Sequence, residues 1–369
     1  MNRRETERIL AAIRSARHAG QRVALATIVR VRGSAYRREG ARILVREDGS
    51  YECLLSGGCL EPAVAEAAAR VIAGGSPVII QYDLEEDSVW GVGIGCSGAV
   101  DIFIEPVGDD AVTREWLDVL EGDEPAVFVR RLPGGEGRLL VREHSSAGSL
   151  GGASLDQEAV GRARAKLRAP APASGTEWVE GAELFFEAAG PPPHLAVFGA
   201  GSDAEPLARL AWDLGFAVTV VDVREAFLSA ARFPHAELVS SHFSRFHETV
   251  RLTDRSAVVI MNHHLERDQE SLRFALQSEA RYIGMLGPRT RFQKLRNGLE
   301  SQGFVADAAA LSRVRSPVGL ALGAETPEEI AVSIVGEILA LQRGFDGGFL
   351  DGRTASLHRP ASSSVLARS

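Results

Sequence analysis

The sequence predicts two α/β parts in series: an N-terminal mixed α+β domain, then a doubly wound parallel sheet. Three observations carry this. From His194 onward, short apolar strands alternate with helical stretches, the rhythm of a parallel sheet covered on both faces. The first of these strands, Leu195–Phe198, runs into Gly199-Ala200-Gly201-Ser202-Asp203-Ala204, a glycine-rich turn ahead of an apolar helix. Upstream, helical and strand patterns mix without that rhythm, and 369 residues are enough chain for two separate cores.

In order along the chain, residues 5–19 place Ile9, Leu10 and Ile13 on one helical face and stop at Gly20. Val23–Val31 alternates and is rich in β-branched residues, as a strand should be. Asp48-Gly49, between Arg42–Arg46 and Tyr51–Leu55, signals a hairpin. Pro62–Ala73 is an alanine-rich helix closed by Gly74-Gly75. Pro77–Tyr82 and Ala99–Glu105 read as strands, and 111–143 holds another helix and two strands, which makes 1–144 the first domain. Residues 145–182 turn to Ser, Gly, Ala and Pro around a short Arg/Ala helix, a composition that predicts a linker-rich connector. Leu184–Glu187 is a strand, and Pro191-Pro192-Pro193 is a stiff joint. The second domain is placed at 183–345, with further strands at Ala217–Val221, Ala257–Met261, Tyr282–Met285 and Val318–Ala321. Residues 346–369, rich in Gly, Ser and Arg, are expected to form a flexible tail.

Gly199, Gly201 and Ala204 fit the G-x-G-x-x-G/A fingerprint between a strand and a helix, which makes the second domain Rossmann-like. Asp222 ends the next strand at the distance expected of a ribose contact, so these four residues are the candidate site for a nucleotide such as NAD(P). Asp203, in the first helical turn, would partly repel a phosphate. Asn262-His263-His264 follows a strand at the sheet's carboxyl edge, where open α/β sheets bind ligands. Neighbouring histidines diverge too much to share a metal, so His263 is read as a ligand contact. Arg289 and Arg291 open a helix and could face an anion or only solvent. Thr326-Pro327-Glu328-Glu329 is a helix start with a structural role.

Two cysteines lie in glycine-rich loops, Ser56-Gly57-Gly58-Cys59 and Gly93-Ile94-Gly95-Cys96-Ser97-Gly98. Gly57, Gly58 and Gly95 free the backbone for close approach to a ligand. Cys59 also stands at a helix start, where partial positive charge favours a thiolate, and Glu61 is a candidate proton acceptor in the same turn. Cys59 and Cys96 are therefore candidate soft-metal ligands or nucleophiles; the alternative is two small buried residues beside glycine turns.

Composition narrows the classes. The chain is 45% hydrophobic and 24% charged, as in soluble globular proteins, and its net charge of −8 argues against nucleic-acid binding. The charged N-terminus is no secretory signal, no apolar run reaches a membrane span, and three cysteines make no disulfide framework, so a cytoplasmic location is expected. No HExxH, P-loop, C-x-x-C or Ser-His-Asp signal supports a hydrolase or a zinc site.

Taken together, the motifs resemble the XdhC/CoxI family, accessory proteins of xanthine dehydrogenase and related molybdenum hydroxylases. The matching residues are Gly33-Ser34 through Arg38-Glu39-Gly40-Ala41-Arg42, both cysteine loops, Val197-Phe198-Gly199-Ala200-Gly201 and Val220-Val221-Asp222-Val223-Arg224. They continue with Met261-Asn262-His263, Tyr282-Ile283-Gly284-Met285-Leu286-Gly287, Ser316-Pro317-Val318-Gly319-Leu320 and Gly323-Ala324-Glu325-Thr326-Pro327-Glu328-Glu329-Ile330-Ala331. The chain departs from the family in Ala35-Tyr36-Arg37 after Gly33-Ser34, in Ser97 where glycine is common, and in Asn262 where Thr or Ser is usual. The resemblance implies a chaperone that binds molybdenum cofactor (molybdopterin), helps its sulfuration by a cysteine desulfurase, and delivers it to a xanthine dehydrogenase-type enzyme. It casts Cys59 and Cys96 as the molybdenum or sulfur contacts, allows a homodimer, and gives the Rossmann-like half a nucleotide or part of the pterin. Two other readings stand beside it: an NAD(P)-dependent oxidoreductase with His263 or His264 as acid/base, and a redox sensor in which Cys59 and Cys96 form a reversible disulfide.

Overall fold

Chain contacts divide the protein into two units, Met1–Pro191 and Pro192–Ser369. The computed structural model describes residues 3–84, 98–122, 124–132, 137–169 and 173–351.

In the first unit, α1 (Arg3–His18) buries Ile9, Leu10 and Ile13, the stripe expected of it. Strands β1 (Val23–Gly33), β2 (Arg42–Arg46) and β3 (Tyr51–Glu52) follow, then α2 (Glu61–Gly74), β4 (Val78–Asp83) and β5 (Gly98–Pro106). They build an antiparallel sheet of order β3-β2-β1-β5-β4. Gly49, at φ +80°, makes the β2–β3 turn, a conformation that disfavours any Cβ. Helix α3 (Ala111–Glu121), β6 (Ala126–Leu132), β7 (Arg138–Val141), β8 (Ser146–Ser149), α4 (Ala153–Arg168), β9 (Gly175–Val179) and β10 (Ala182–Ala189) complete the unit. The strands form a second antiparallel sheet of order β8-β7-β6-β10-β9.

Residues 145–182 are therefore not a connector. Leu155, Ala159 and Ala163 bury one face of α4 against Val127, Val129 and Phe186, and β8 and β9 are the sheet's edge strands. Small residues gave the stretch its linker composition, but at helical spacing they are what lets a helix lie close on a sheet. Between the two sheets, the fully buried Arg130 guanidinium bonds Glu105 and Glu187, both at 2.5 Å, among the rings of Phe103, Phe128 and Phe185.

The second unit alternates as the sequence demanded. Its elements are β11 (His194–Phe198), α5 (Ala204–Asp213), β12 (Ala217–Asp222), β13 (Glu237–Ser240), α6 (Phe246–Thr249), β14 (Ser256–Ile260) and α7 (Leu265–Gln277). After them come β15 (Tyr282–Met285), α8 (Arg289–Ser301), α9 (Ala308–Ser312), β16 (Val314–Arg315) and α10 (Pro327–Gln342). The sheet is parallel throughout, in the order β13-β12-β11-β14-β15-β16, the doubly wound order that reverses beside β11. Leu195 and Val197 face the core under α5 and α10, whereas Ala196 and Phe198 face the core under α7 and α8.

Val318–Ala321, expected as a strand, is a loop. The Val318 N–H still donates to the Met285 carbonyl at the end of β15, but Gly319 sits at φ +102°, its N–H donates to Glu337, and the Leu320 N–H donates to the Ser333 carbonyl of α10, so the segment leaves the sheet for the helix. The sixth strand is the preceding Val314–Arg315 pair. Thr326 caps α10 in a full capping box with Glu329. Of the expected tail, 346–351 carry no helix or strand, and 352–369 lie outside the described residues. No helix among the described residues is long and apolar enough to cross a membrane.

Candidate functional site

The first cysteine loop is organised by two side chains that leave the thiol outward. The Ser56 hydroxyl accepts the N–H groups of Gly58, Cys59 and Leu60 at 3.2, 3.1 and 3.0 Å, and donates to Glu61 Oε2 at 2.5 Å. Glu61 Oε1 accepts the N–H groups of Leu55 and Ser56 at 2.8 and 2.7 Å. Glu61 is completely buried. Burial by itself would raise its carboxyl, but the Ser56 hydroxyl and the Ser56 and Leu55 amides outweigh that and hold it below the usual carboxylate range. Glu61, read from sequence as a proton acceptor, is thus the internal staple of the loop. Gly58 supplies the φ of +113° that the turn needs, while Gly57, Gly58 and Cys59 are exposed.

Among the described residues there are two free cysteines, and they differ sharply: Cys59 is exposed and Cys53 is buried. Burial pushes the Cys53 thiol up, and it lies 3.6 Å from the Glu5 carbonyl. Of these two thiols, Cys59 is the one open to a reagent or ligand. Gly95 and Cys96 lie outside the described residues, so their approach to Cys59 is not placed. Among the described residues no cluster of His, Cys, Asp and Glu is arranged to hold a metal ion. A cavity of about 30 Å³ in this unit lies behind α1 and α3, reaching Arg42 and Arg130; it has room for about two waters and is not part of the cysteine loop.

In the second unit, the glycine loop joins β11 to α5 at the sheet's carboxyl edge. Gly199 has φ +116°, and a Cβ there would lie 2.5 Å from the Met261 carbonyl oxygen. Its glycine lets the loop press against the β14–α7 loop. Asp222 is buried and fully engaged: Oδ2 accepts the Ala200 N–H at 2.8 Å and Arg224 Nη2 at 2.7 Å, and Oδ1 accepts the Arg224 N–H and Nε. Burial would raise its carboxyl, but the Arg224 guanidinium and the two amides hold it below the usual range. This carboxylate fastens its own loop, with Arg224 stacked 4.0 Å over Phe227, and a ribose would have to displace those partners.

Asp203 is the N-cap of α5 but makes no side-chain cap. Its carboxylate folds back over Gly201, where a Cβ would come 2.4 Å from Oδ1, and Oδ2 meets His263 Nε2 at 2.6 Å. His263 is exposed and holds φ +55°, uncommon for a non-glycine residue. Ala204 is buried and packs α5 on the sheet. His264 is exposed ahead of α7, Arg289 is exposed, and Arg291 is tied to the buried Asp268 at 2.5 Å, which also fixes Asn262 at 3.1 Å. The structure thus joins Gly199, Gly201, Asp203, Asp222 and His263 at one sheet edge. Sequence reasoning missed the Asp203–His263 pair because nothing in the spacing of two residues 60 apart marks their contact.

Comparison with known proteins adds the family context. Residues 195–338 match the family model described as the XdhC Rossmann domain, and residues 16–83 match the XdhC and CoxI family. A protein of Bacillus subtilis (strain 168) named as a probable xanthine dehydrogenase subunit is 33% identical over 324 residues, 86% of this chain and 93% of that protein. The molybdenum cofactor insertion chaperone PaoD of Escherichia coli (strain K12) is 25% identical over 326 residues, 88% of this chain and 84% of its own. The crystal structure of a xanthine dehydrogenase from Bacillus halodurans superposes with a TM-score of 0.75 at 32% identity, covering 91% of this chain and 96% of that one.

Proposed function

Because the chain belongs to the XdhC/CoxI family, we propose that it is a maturation factor that binds molybdenum cofactor, assists its sulfuration and delivers it to a xanthine dehydrogenase-type hydroxylase. The observation that carries this reading is the exposed Cys59 on a loop whose amides are already satisfied by Ser56. Such a loop offers a thiol more than an anion nest, and a soft thiolate suits molybdenum or a transferable sulfur. In this reading Cys59 is the first contact and Cys96 the second, Gly57, Gly58 and Gly95 give backbone clearance, and a cysteine desulfurase supplies the sulfur. The edge formed by Gly199, Gly201, Ala204 and His263 takes a phosphate-bearing ligand such as a nucleotide, and Asp222 supports it by bonding the Ala200 N–H.

The relatives carry two kinds of name, one for a component of a dehydrogenase and one for an insertion chaperone. A chaperone gives up its cargo and leaves the client; an enzyme component copurifies with the active enzyme. Co-produced with the cofactor pathway, the wild-type protein is expected to retain molybdopterin and Cys59→Ala to lose most of it. The same variant should lower the activity of the co-produced hydroxylase. Equal retention by both proteins, or by neither, would remove the cysteine from the role.

A further inference from the structure

We propose that Asp203 is the specificity-determining residue of the glycine loop in the second unit: its carboxylate occupies the place of an incoming phosphate and sets how strongly a diphosphate-bearing ligand binds. This deepens the reading in which that loop faces the phosphate-bearing part of the ligand, and it rests on that reading.

Three observations converge. The backbone of Asp203 is already helical, at φ −73° and ψ −21°, so its side chain makes no cap bond and its carboxylate is not held by α5. The carboxylate lies instead across Gly201, within 2.4 Å of where a Cβ would stand, so Gly201 provides the space in which a second-glycine loop normally admits a pyrophosphate. His263 holds it there from the neighbouring loop, at 2.6 Å and with a left-handed backbone. The contact between the two loops is rigid, because Gly199 packs against the Met261 carbonyl and the Met261 N–H donates to the Phe198 carbonyl.

The physical consequence is a charge filter. A helix start attracts an anion, but a carboxylate held within a few ångströms offsets that attraction. A diphosphate must move Asp203 off Gly201 and break its bond to His263. A neutral ligand meets no such opposition. Asp222 adds no acceptor of its own, since its oxygens are taken by Ala200 and Arg224. The site therefore discriminates against free dinucleotides and nucleoside diphosphates.

Calorimetric titration of the full chain with ADP, inorganic pyrophosphate and adenosine tests this. Asp203→Asn keeps a hydrogen-bonding partner for His263 without the charge, and Asp203→Ala removes both. Each variant is expected to bind ADP and pyrophosphate about tenfold more tightly than wild type, with adenosine affinity unchanged. Wild-type binding of ADP that the two variants leave within twofold would overturn the filter while sparing the loop as a phosphate site. Binding of neither anion by wild type or variants would reject both. A parallel gain for adenosine would show a loosened loop rather than a removed charge, and would also reject the proposal.

Discussion

The two described glycine loops look alike in sequence, each a glycine-rich turn leading into a helix, and the structure uses them in opposite ways. In the first unit, Ser56 accepts three loop N–H groups and Glu61 accepts two more, so the loop is internally satisfied and presents a side chain, Cys59. In the second, Asp222 accepts the Ala200 N–H and Asp203 leaves the helix start uncapped, so the loop presents backbone guarded by a carboxylate. Glycine content alone does not say what such a loop offers. The neighbouring acceptors decide it, by consuming the amides or leaving them.

The largest way to break this contrast is to remove the staple of the first loop. Glu61→Ala leaves the Leu55 and Ser56 amides and the Ser56 hydroxyl without their acceptor, in a completely buried place. At about 1–3 kcal/mol per unsatisfied buried group, the variant should lose roughly 4 kcal/mol against urea. A loss below about 1 kcal/mol would mean that the loop is not held by this carboxylate. The next test sets two glycines of nearly equal φ against each other. Gly58, at +113°, has nothing within 4 Å of where a methyl group would stand, whereas Gly199, at +116°, would meet the Met261 carbonyl at 2.5 Å. Gly58→Ala should lose only the backbone preference, about 1 kcal/mol, and Gly199→Ala about 2 kcal/mol more, because the clash is with backbone that cannot rotate away. Equal losses in thermal or urea unfolding would show that the second loop does not depend on close packing.

The parallel sheet was legible because its physics is local: Leu195–Phe198 and Tyr282–Met285 are apolar runs, and a strand buried on both faces must be one. The edge strands escaped. Glu237–Ser240 and Val314–Arg315 are short and half exposed, so neither carries a continuous apolar signal, and Val318–Ala321 carried it falsely because Leu320 packs on α10 and Ala321 is exposed. The Arg/Ala helix at 153–168 was readable as a helix, but its alanines, which composition assigns to a linker, did not show that it packs on a sheet. At the site, glycines and cysteines were readable as types, but the partners that give them meaning were not. Glu61 looked like a base beside a thiol until its three hydrogen bonds were visible. Asp222 looked like a ribose acceptor until Ala200 and Arg224 were seen to hold it. Pairing across 22 or 60 residues is set by the fold, and no spacing rule announces it.

The smallest expected effect concerns acid, and it separates the loops by variant rather than by size. Glu61 and Asp222 are both held below their ordinary carboxyl range, by amides and the Ser56 hydroxyl in one loop and by Arg224 and amides in the other. A carboxylate whose folded value is depressed contributes stability that is fully present above its unfolded value, about 4.3 for Glu and 3.9 for Asp, and is lost as pH falls through the lower folded value. Wild-type stability should therefore drop on acidification below about pH 4.3, as each group takes up a proton on unfolding that it lacks when folded. Glu61→Gln keeps the shape of the first loop and removes its proton, so its stability should fall less steeply there, by up to about 1.4 kcal/mol per pH unit. Asp222→Asn should flatten the same region independently, because the two groups belong to different units and share no hydrogen-bond partner. Urea unfolding of the wild type, both single variants and the double variant from pH 3 to 7 measures each slope. Additive flattening confirms two separate carboxylate staples, and a double variant no flatter than either single one would mean that only one loop is held by its charge.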